Sequence, residues 1–376
     1  MTTATATDTR VRADTLVLLG TTKGLFLLRS GDGNPPFELS GPLFPGEEVY
    51  STCIDTRSGS PRLFIGSFSN HWGPVLRRSD DLGGSWTEDE KAPVSFPEGT
   101  DAALARVWQL TPGPQDQPDV IYAGVEPAAL FRSDDGGRSF TLVQGLWDHP
   151  HRPQWQPGGG GLCLHTVLLH PDDPDRMLIA ISAAGVYLTD DGGRSWRAAN
   201  TGIVVPFMPD EPAPEFGQCV HKVARDAADP ERLYLQHHGG IYRSDNGGDS
   251  WDAMSSIAGM DFGFPVVAHP SRPDTAFLLP LHSDEYRCTP DGNCTVWRTT
   301  DAGKSWEPLT DGLPQGGAHL TVLRDGFTTD GQGPAGLFFG TRGGEVYGSV
   351  DDGDSWTLLA EHLPPVMSVR AAPLPS

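Results

Sequence analysis

Thr189-Asp190-Asp191-Gly192-Gly193-Arg194-Ser195-Trp196 decides the fold, because the stretch recurs. Reduced to Ser/Thr-x-Asp-x-Gly-x-x-Trp/Phe, it stands again at Ser79-Asp81-Gly83-Trp86, Ser133-Asp135-Gly137-Phe140, Thr299-Asp301-Gly303-Trp306 and Ser349-Asp351-Gly353-Trp356. A sixth copy, Ser244-Asn246-Gly248-Trp251, carries Asn for Asp. A worn seventh, Ser30-Asp32-Phe37, has Asn34 in the glycine place. The Asp or Asn positions run 32, 81, 135, 191, 246, 301 and 351. A period of about 50 residues is that of a propeller blade. Each part of the phrase has a physical task. The Asp oxygens can accept backbone N–H groups and tie a turn together. The Gly supplies a positive φ. The aromatic residue can pin the next strand into an apolar layer.

On either side of the turn, each repeat reads as four short strands. In the fourth these are strand A over 165–170, B over 176–182, C over 185–189 and D from Trp196, with Pro171-Asp172-Asp173-Pro174 turning A into B. The N-terminal repeat offers only B, C and D, over 16–20, 25–28 and 37–39. Its missing strand A can come from 366–371 at the other end of the chain, which would remove the exposed edges of an open ring. The fold class expected is therefore all-β: one seven-bladed β-propeller of four-stranded antiparallel blades over 14–376, closed by pairing of the termini, after a disordered tail over 1–13.

The repeat resembles the Asp-box (BNR) repeat of sialidases, sortilin and photosystem II assembly factors, across nearly the whole chain. The resemblance implies that the box is a turn between strands C and D, on the rim away from the active site, and so is structural. It does not extend to sialidase chemistry. Sialidases of this kind have six blades, an arginine triad, an Arg-Ile-Pro motif and a Tyr–Glu nucleophile pair. This chain has seven repeats and no Arg-Ile-Pro, and Arg106, Arg342 and Arg370 make a poor triad.

Composition narrows the partners. Forty-six Gly and 34 Pro suit many short strands and turns. A net charge of −22 argues against nucleic acid and against anionic membranes, both of which need clustered cations. The opening residues are polar and no apolar run approaches a membrane span, so a cytoplasmic protein is expected. The five cysteines are odd in number and scattered. Cys288 and Cys294 could close a hairpin as a disulfide or stay free in a reducing compartment.

In such a propeller the D–A and B–C loops share one face. The long irregular segments fall there: 90–105, 143–164 and 198–220 among D–A loops, and 67–73 and 282–294 among B–C loops. Long loops of this kind carry function more often than the scaffold does. The most unusual, 145–161, holds Trp147, His149, His151, Arg152 and Trp155 before a run of four glycines. It reads either as a lid or wall over the channel mouth or as a surface insert packed on the next blade.

Aligning the strands A on the turn that follows gives one mouth position per blade: Met367, Tyr50, Arg106, His165, His221, Phe264 and His319. Three histidines among seven is far above a 12-in-376 share. Facing the same mouth from the ends of the strands B are His71, Glu126, His237, His238, His282, Asp284, Glu285 and Arg342. Three readings stay open. In the first, His165, His221 and His319 hold a divalent transition metal (Zn, Fe, Mn or Cu), with Glu126 completing the shell. In the second, histidine acts as a base without metal and arginine binds an anionic substrate. In the third, polar residues line a watery channel and the face binds a partner protein, as an assembly factor would. The first two describe a small-molecule enzyme of hydrolase, lyase or oxygenase type. In it His165, His221, His319 and Glu126 are catalytic, and Tyr50, Arg106, Trp108, Trp155, His237, His238, His282 and Arg342 contact substrate.

Overall fold

The computed structural model describes residues 12–87, 92–205, 212–257 and 259–375. Seven antiparallel sheets follow one another along the chain, six with four strands and one, the second, with three among the described residues. The strands A are Val366–Pro373, Glu48–Asp55, Arg106–Pro112, Leu164–Leu169, Val220–Arg225, Gly263–Ala268 and Phe327–Thr329, for blades one to seven. Each packs beside the next, and the last packs beside the first, so they line a closed ring. Blade one is closed as expected: Val366–Pro373 pairs with Thr15–Thr21 in the register Leu18↔Arg370 and Gly20↔Ser368. Of the expected tail, residues 1–11 lie outside the described residues. Arg12 is buried and salt-bridged to Asp330 of blade seven, so packing begins before residue 14.

The core is divided into seven layers, each formed by two neighbouring blades. Phe277 and Leu279 of blade six, for example, meet Phe339 and Trp356 of blade seven, all buried. The alternation of inward and outward residues along each strand makes these layers, since both faces of an inner strand meet a neighbouring sheet.

The repeated turn works as its residue types require, with one further participant. Thr189 Oγ1 donates to Asp191 Oδ1 at 2.8 Å and accepts from Gly193 N at 3.0 Å. Asp191 also accepts from Ser195 N at 2.9 Å and from the Ser195 hydroxyl at 2.6 Å. Gly193 has φ 92°. Ser85, Ser139, Ser305 and Ser355 repeat the role of Ser195, so the serine before the aromatic belongs to the motif. These hydrogen bonds hold the Asp81, Asp135, Asp191 and Asp301 carboxyls down at about 2.

All five cysteines are free thiols, so Cys288 and Cys294 form no bridge. No helix among the described residues is long and apolar enough to cross a membrane.

Candidate functional site at the channel mouth

The inner strands are irregular where they enter the channel. Pairing with strand B skips Tyr50, Trp108, His165 and His221, one residue per blade, and in blade six skips Phe264 and Pro265. In blade one the pairing passes over Met367. A β-bulge re-aims the unpaired side chain, and here it turns one residue per blade toward the axis. The corner hydrogen bonds fix the correspondence: Gly113, His170, Asp226, His269 and Asp330 each donate N–H to the carbonyl that opens strand B. The mouth residue stands five positions earlier each time, which gives Trp108, His165, His221, Phe264 and Asp325.

Two of the expected ring positions are thereby corrected. In blade three Trp108 holds the place assigned to Arg106, and Arg106 lies two residues earlier. In blade seven Asp325 holds the place assigned to His319, which sits on the preceding loop with Nδ1 3.1 Å from the Tyr286 hydroxyl. Strand A of blade seven is only three residues long, too short for periodicity to set its register.

Tyr50, Trp108, His221, Phe264, Met367 and Asp325 line one cavity of about 550 Å³. The seventh, His165, is fully buried beneath it. Its Nε2 donates to the Val220 carbonyl and its Nδ1 accepts from the Thr166 hydroxyl, both at 3.0 Å, so both ring nitrogens are engaged. Burial, reinforced by the positive charges of Arg324 and Lys222, holds it neutral by pushing its pKa well below the usual imidazole value.

The walls are aromatic, and two arginines, Arg287 and Arg324, share the lining with two carboxylates, Asp284 and Asp325. Tyr50 and Trp108 pack at 5.2 Å between centroids. The Arg324 guanidinium lies 5.6 Å from the Trp108 ring and that of Arg287 lies 5.7 Å from Phe264, both within cation–π range. Among the described residues no carboxylate pairs with either arginine. Asp325 is satisfied already: Lys222 Nζ donates to its Oδ1 at 2.8 Å and Arg370 donates to the same oxygen. Burial opposes its ionisation, but these two cations outweigh burial and hold its carboxyl well below the usual carboxylate range. Lys222 and Arg370 also border a second, deeper cavity of about 270 Å³, so the triad forms a floor between the mouth and the lower channel.

Glu126 acts as a support. It accepts from Trp108 Nε1 at 2.9 Å and pairs with Arg106 at 3.2 Å, and so fixes the ring on which Arg324 stands. The segment 145–161 divides the two roles proposed for it. Trp147 and Trp155 are buried, Trp155 donating to the Tyr187 hydroxyl at 2.8 Å, so Trp155 packs in the core and does not line the cavity. Gly158, Gly159 and Gly160 do line it. A Cβ on Gly159 would stand 3.8 Å from an Arg287 nitrogen, and one on Gly160 would stand 3.6 Å from Arg324.

Cys219, His221 and His238 form the one group of three ligand-type side chains whose donor atoms converge among the described residues, all within 4.8 Å of one another. The trio His165, His221 and His319 does not. His221 Nδ1 donates to the Gly263 carbonyl at 2.5 Å, which fixes the tautomer and leaves the Nε2 lone pair 3.6 Å from Cys219 Sγ. Burial and then Arg324 hold His221 neutral. His238 Nε2 stands 3.3 Å from Asp284 Oδ2. Of the remaining expected contacts, His237 is buried behind this group, with Nδ1 accepting from Gly239 N at 3.0 Å. His282 lines a shallow neighbouring depression with His238 and Phe262. Arg342 lies outside the cavity with Nη1 against Met367 Sδ. Sequence reasoning missed Cys219, Arg287, Arg324 and Asp325, all on or next to loops with no repeating pattern to mark them.

No protein-family model matches the chain. Two curated relatives are xyloglucanases: one from Hypocrea jecorina (strain QM6a), 23% identical over 276 residues, and one from Paenibacillus sp, 23% identical over 237 residues. The matches cover 65% and 54% of this chain but only 30% and 21% of those enzymes, so the chain spans under a third of the relatives' length. Among solved structures, YCF48 bound to D1 peptide superposes with TM-score 0.52 at 12% identity, covering 93% of this chain and 88% of that one. YCF48 from Cyanidioschyzon merolae gives 0.51 at 12% identity, covering 87% and 92%. These structural likenesses show a shared propeller fold.

Proposed function

We propose that the channel mouth binds a small organic anion with a flat or apolar body, and that the protein is an enzyme, of hydrolase or lyase type, acting on it. One observation carries this reading. Arg287 and Arg324 each lie over an aromatic ring in a single cavity and lack a carboxylate partner among the described residues, in a chain of net charge −22. Guanidinium groups without a carboxylate partner in the lining of an acidic protein's cavity favour an anionic guest, and the rings favour a planar one. Beside them, neutral His221 offers a lone pair for acid–base or ligand chemistry. The five free thiols fit a reducing, cytoplasmic setting.

The distant likeness to xyloglucanases raises a neutral polysaccharide instead. That chemistry needs two carboxyls, one of them protonated near neutral pH. Two carboxyls line the cavity: Asp325 is held ionised by Lys222 and Arg370, and Asp284 stands 3.3 Å from His238 Nε2, while Glu126 nearby is committed to Trp108 and Arg106. A partner protein on the same face is the second reading. Trp72 and Tyr286, 82% and 52% exposed on B–C loops of blades two and six, favour it as anchors. A thermal-shift screen of aromatic and aliphatic carboxylates, phosphates and xyloglucan oligosaccharides tests the proposal, with mass-spectrometric search for turnover of any hit. Carboxylates that stabilise the protein but not its R287Q/R324Q variant support it. Stabilisation by neutral sugars alone, equal in both proteins, refutes it.

A further inference from the structure

We infer that Cys219, His221 and His238 bind one divalent ion of the Zn²⁺ class, with a fourth position open to the cavity. The inference deepens the reading of the mouth as the working site, but does not depend on the guest being an anion.

Geometry carries it. Thiolate and imidazole ligands at their usual distances from zinc, about 2.3 and 2.05 Å, stand about 3.6 Å apart at the tetrahedral angle. Cys219 Sγ and His221 Nε2 are 3.6 Å apart. The third donor lies within 4.8 Å of both, close enough for a small rotamer change to complete the set. Both imidazoles carry the outer contacts found around metal-bound histidines. The Gly263 carbonyl takes the Nδ1 proton of His221, leaving Nε2 for the ion, and Asp284 stands against His238. All three side chains border the same cavity, and they come from strand A and the B–C and D–A loops of blade five. Three protein ligands and an open position are what zinc sites that handle substrates present, whereas structural sites close with four. One thiolate with two imidazoles selects a borderline-soft ion over Mg²⁺ or Ca²⁺. Arg287 and Arg324 line the same cavity, so an oxygen of a bound carboxylate, or a water, would complete the tetrahedron.

The test uses reduced, metal-stripped full-length protein titrated with Co²⁺ as a spectroscopic stand-in for Zn²⁺. The expected result is about one equivalent bound, with the strong visible bands of a four-coordinate site and a sulfur-to-cobalt charge-transfer band, all displaced by Zn²⁺. C219S removes the charge-transfer band and weakens binding about 100-fold. H238Q weakens it similarly, while H362Q, on an exposed surface, changes nothing. Circular dichroism checks that each variant folds. Should C219S fail to fold, wild-type protein gives the same answer: Zn²⁺ slows alkylation of Cys219 at least tenfold by peptide mass spectrometry. No stoichiometric uptake, or uptake with a six-coordinate spectrum that C219S leaves unchanged, or alkylation indifferent to Zn²⁺, overturns the inference. Anion binding measured on the stripped protein is a separate readout, so failure here leaves the proposed function standing or falling on its own evidence.

Discussion

The Asp325 carboxylate accepts a hydrogen bond from the Lys222 ammonium at 2.8 Å, although the residues belong to blades seven and five with blade six between them. A contact that skips a blade has to cross the channel. Arg370 of blade one donates to the same oxygen, so Asp325 ties three blades together and closes the mouth from below. Asp325 is almost fully buried, and removing one member of a buried ionic group leaves the others uncompensated, at a cost of about 3–5 kcal/mol. D325N is therefore expected to lose about that much stability in urea unfolding. The double variant K222M/D325N should lose less than the sum of its singles, since the unpaired ammonium is then gone. Simple additivity would mean that the contact has no energetic content.

Anion affinity should depend on both arginines. Loss of one charge-assisted contact costs about 1.5–3 kcal/mol, so R287Q and R324Q should each weaken a bound carboxylate by roughly tenfold to a hundredfold in titration calorimetry. R342Q, outside the cavity, should leave the affinity unchanged.

His165 makes the fold sensitive to mild acid. Its folded pKa is depressed, so below about pH 6.5 the unfolded chain takes up a proton that the folded chain refuses. Stability is thus full above that pH and falls as the pH drops, by about 1.4 kcal/mol per unit for this one group. Between about pH 6.5 and 5.5, above the range where most unfolded carboxylates titrate, H165Q should flatten the slope of unfolding free energy by up to that amount. An unchanged slope would mean that His165 is protonated in the folded protein.

The fold was legible in the chain because the turn chemistry repeats. The Asp, Gly and aromatic positions recur with the blade, and the ring closure follows from the strand missing at one end and left over at the other. The site was legible only in part. Tyr50, His221, Phe264 and Met367 could be read from strand periodicity, which slipped by two residues in blade three, and His165 has the same place but spends both nitrogens on its neighbours. Periodicity gives the position and not the hydrogen bonds. Cys219, Arg287 and Arg324 come from irregular loops, where the repeat has no say. Asp325 precedes a strand too short to align by eye; only its corner hydrogen bond, Asp330 N to Gly336 O, shows where it belongs.

The repeated turns should matter for stability alone. Asp135 accepts from Ser133, from Arg138 N and from both donors of Ser139. D135A should cost about 2 kcal/mol, allowing for the modest net worth of partly exposed hydrogen bonds. Calorimetric ligand affinity should not move, because the turn lies on the face opposite the mouth.

The function proposed for the mouth turns on a guest anion held by Arg287 and Arg324. Anomalous diffraction from a crystal soaked in a brominated aromatic carboxylate tests it most directly. The expected result is one strong bromine peak against the Trp108 and Phe264 walls, with the carboxylate on the two guanidinium groups and no peak in R287Q/R324Q crystals. Bromine bound only elsewhere, or in the mouth equally with both arginines removed, would contradict it.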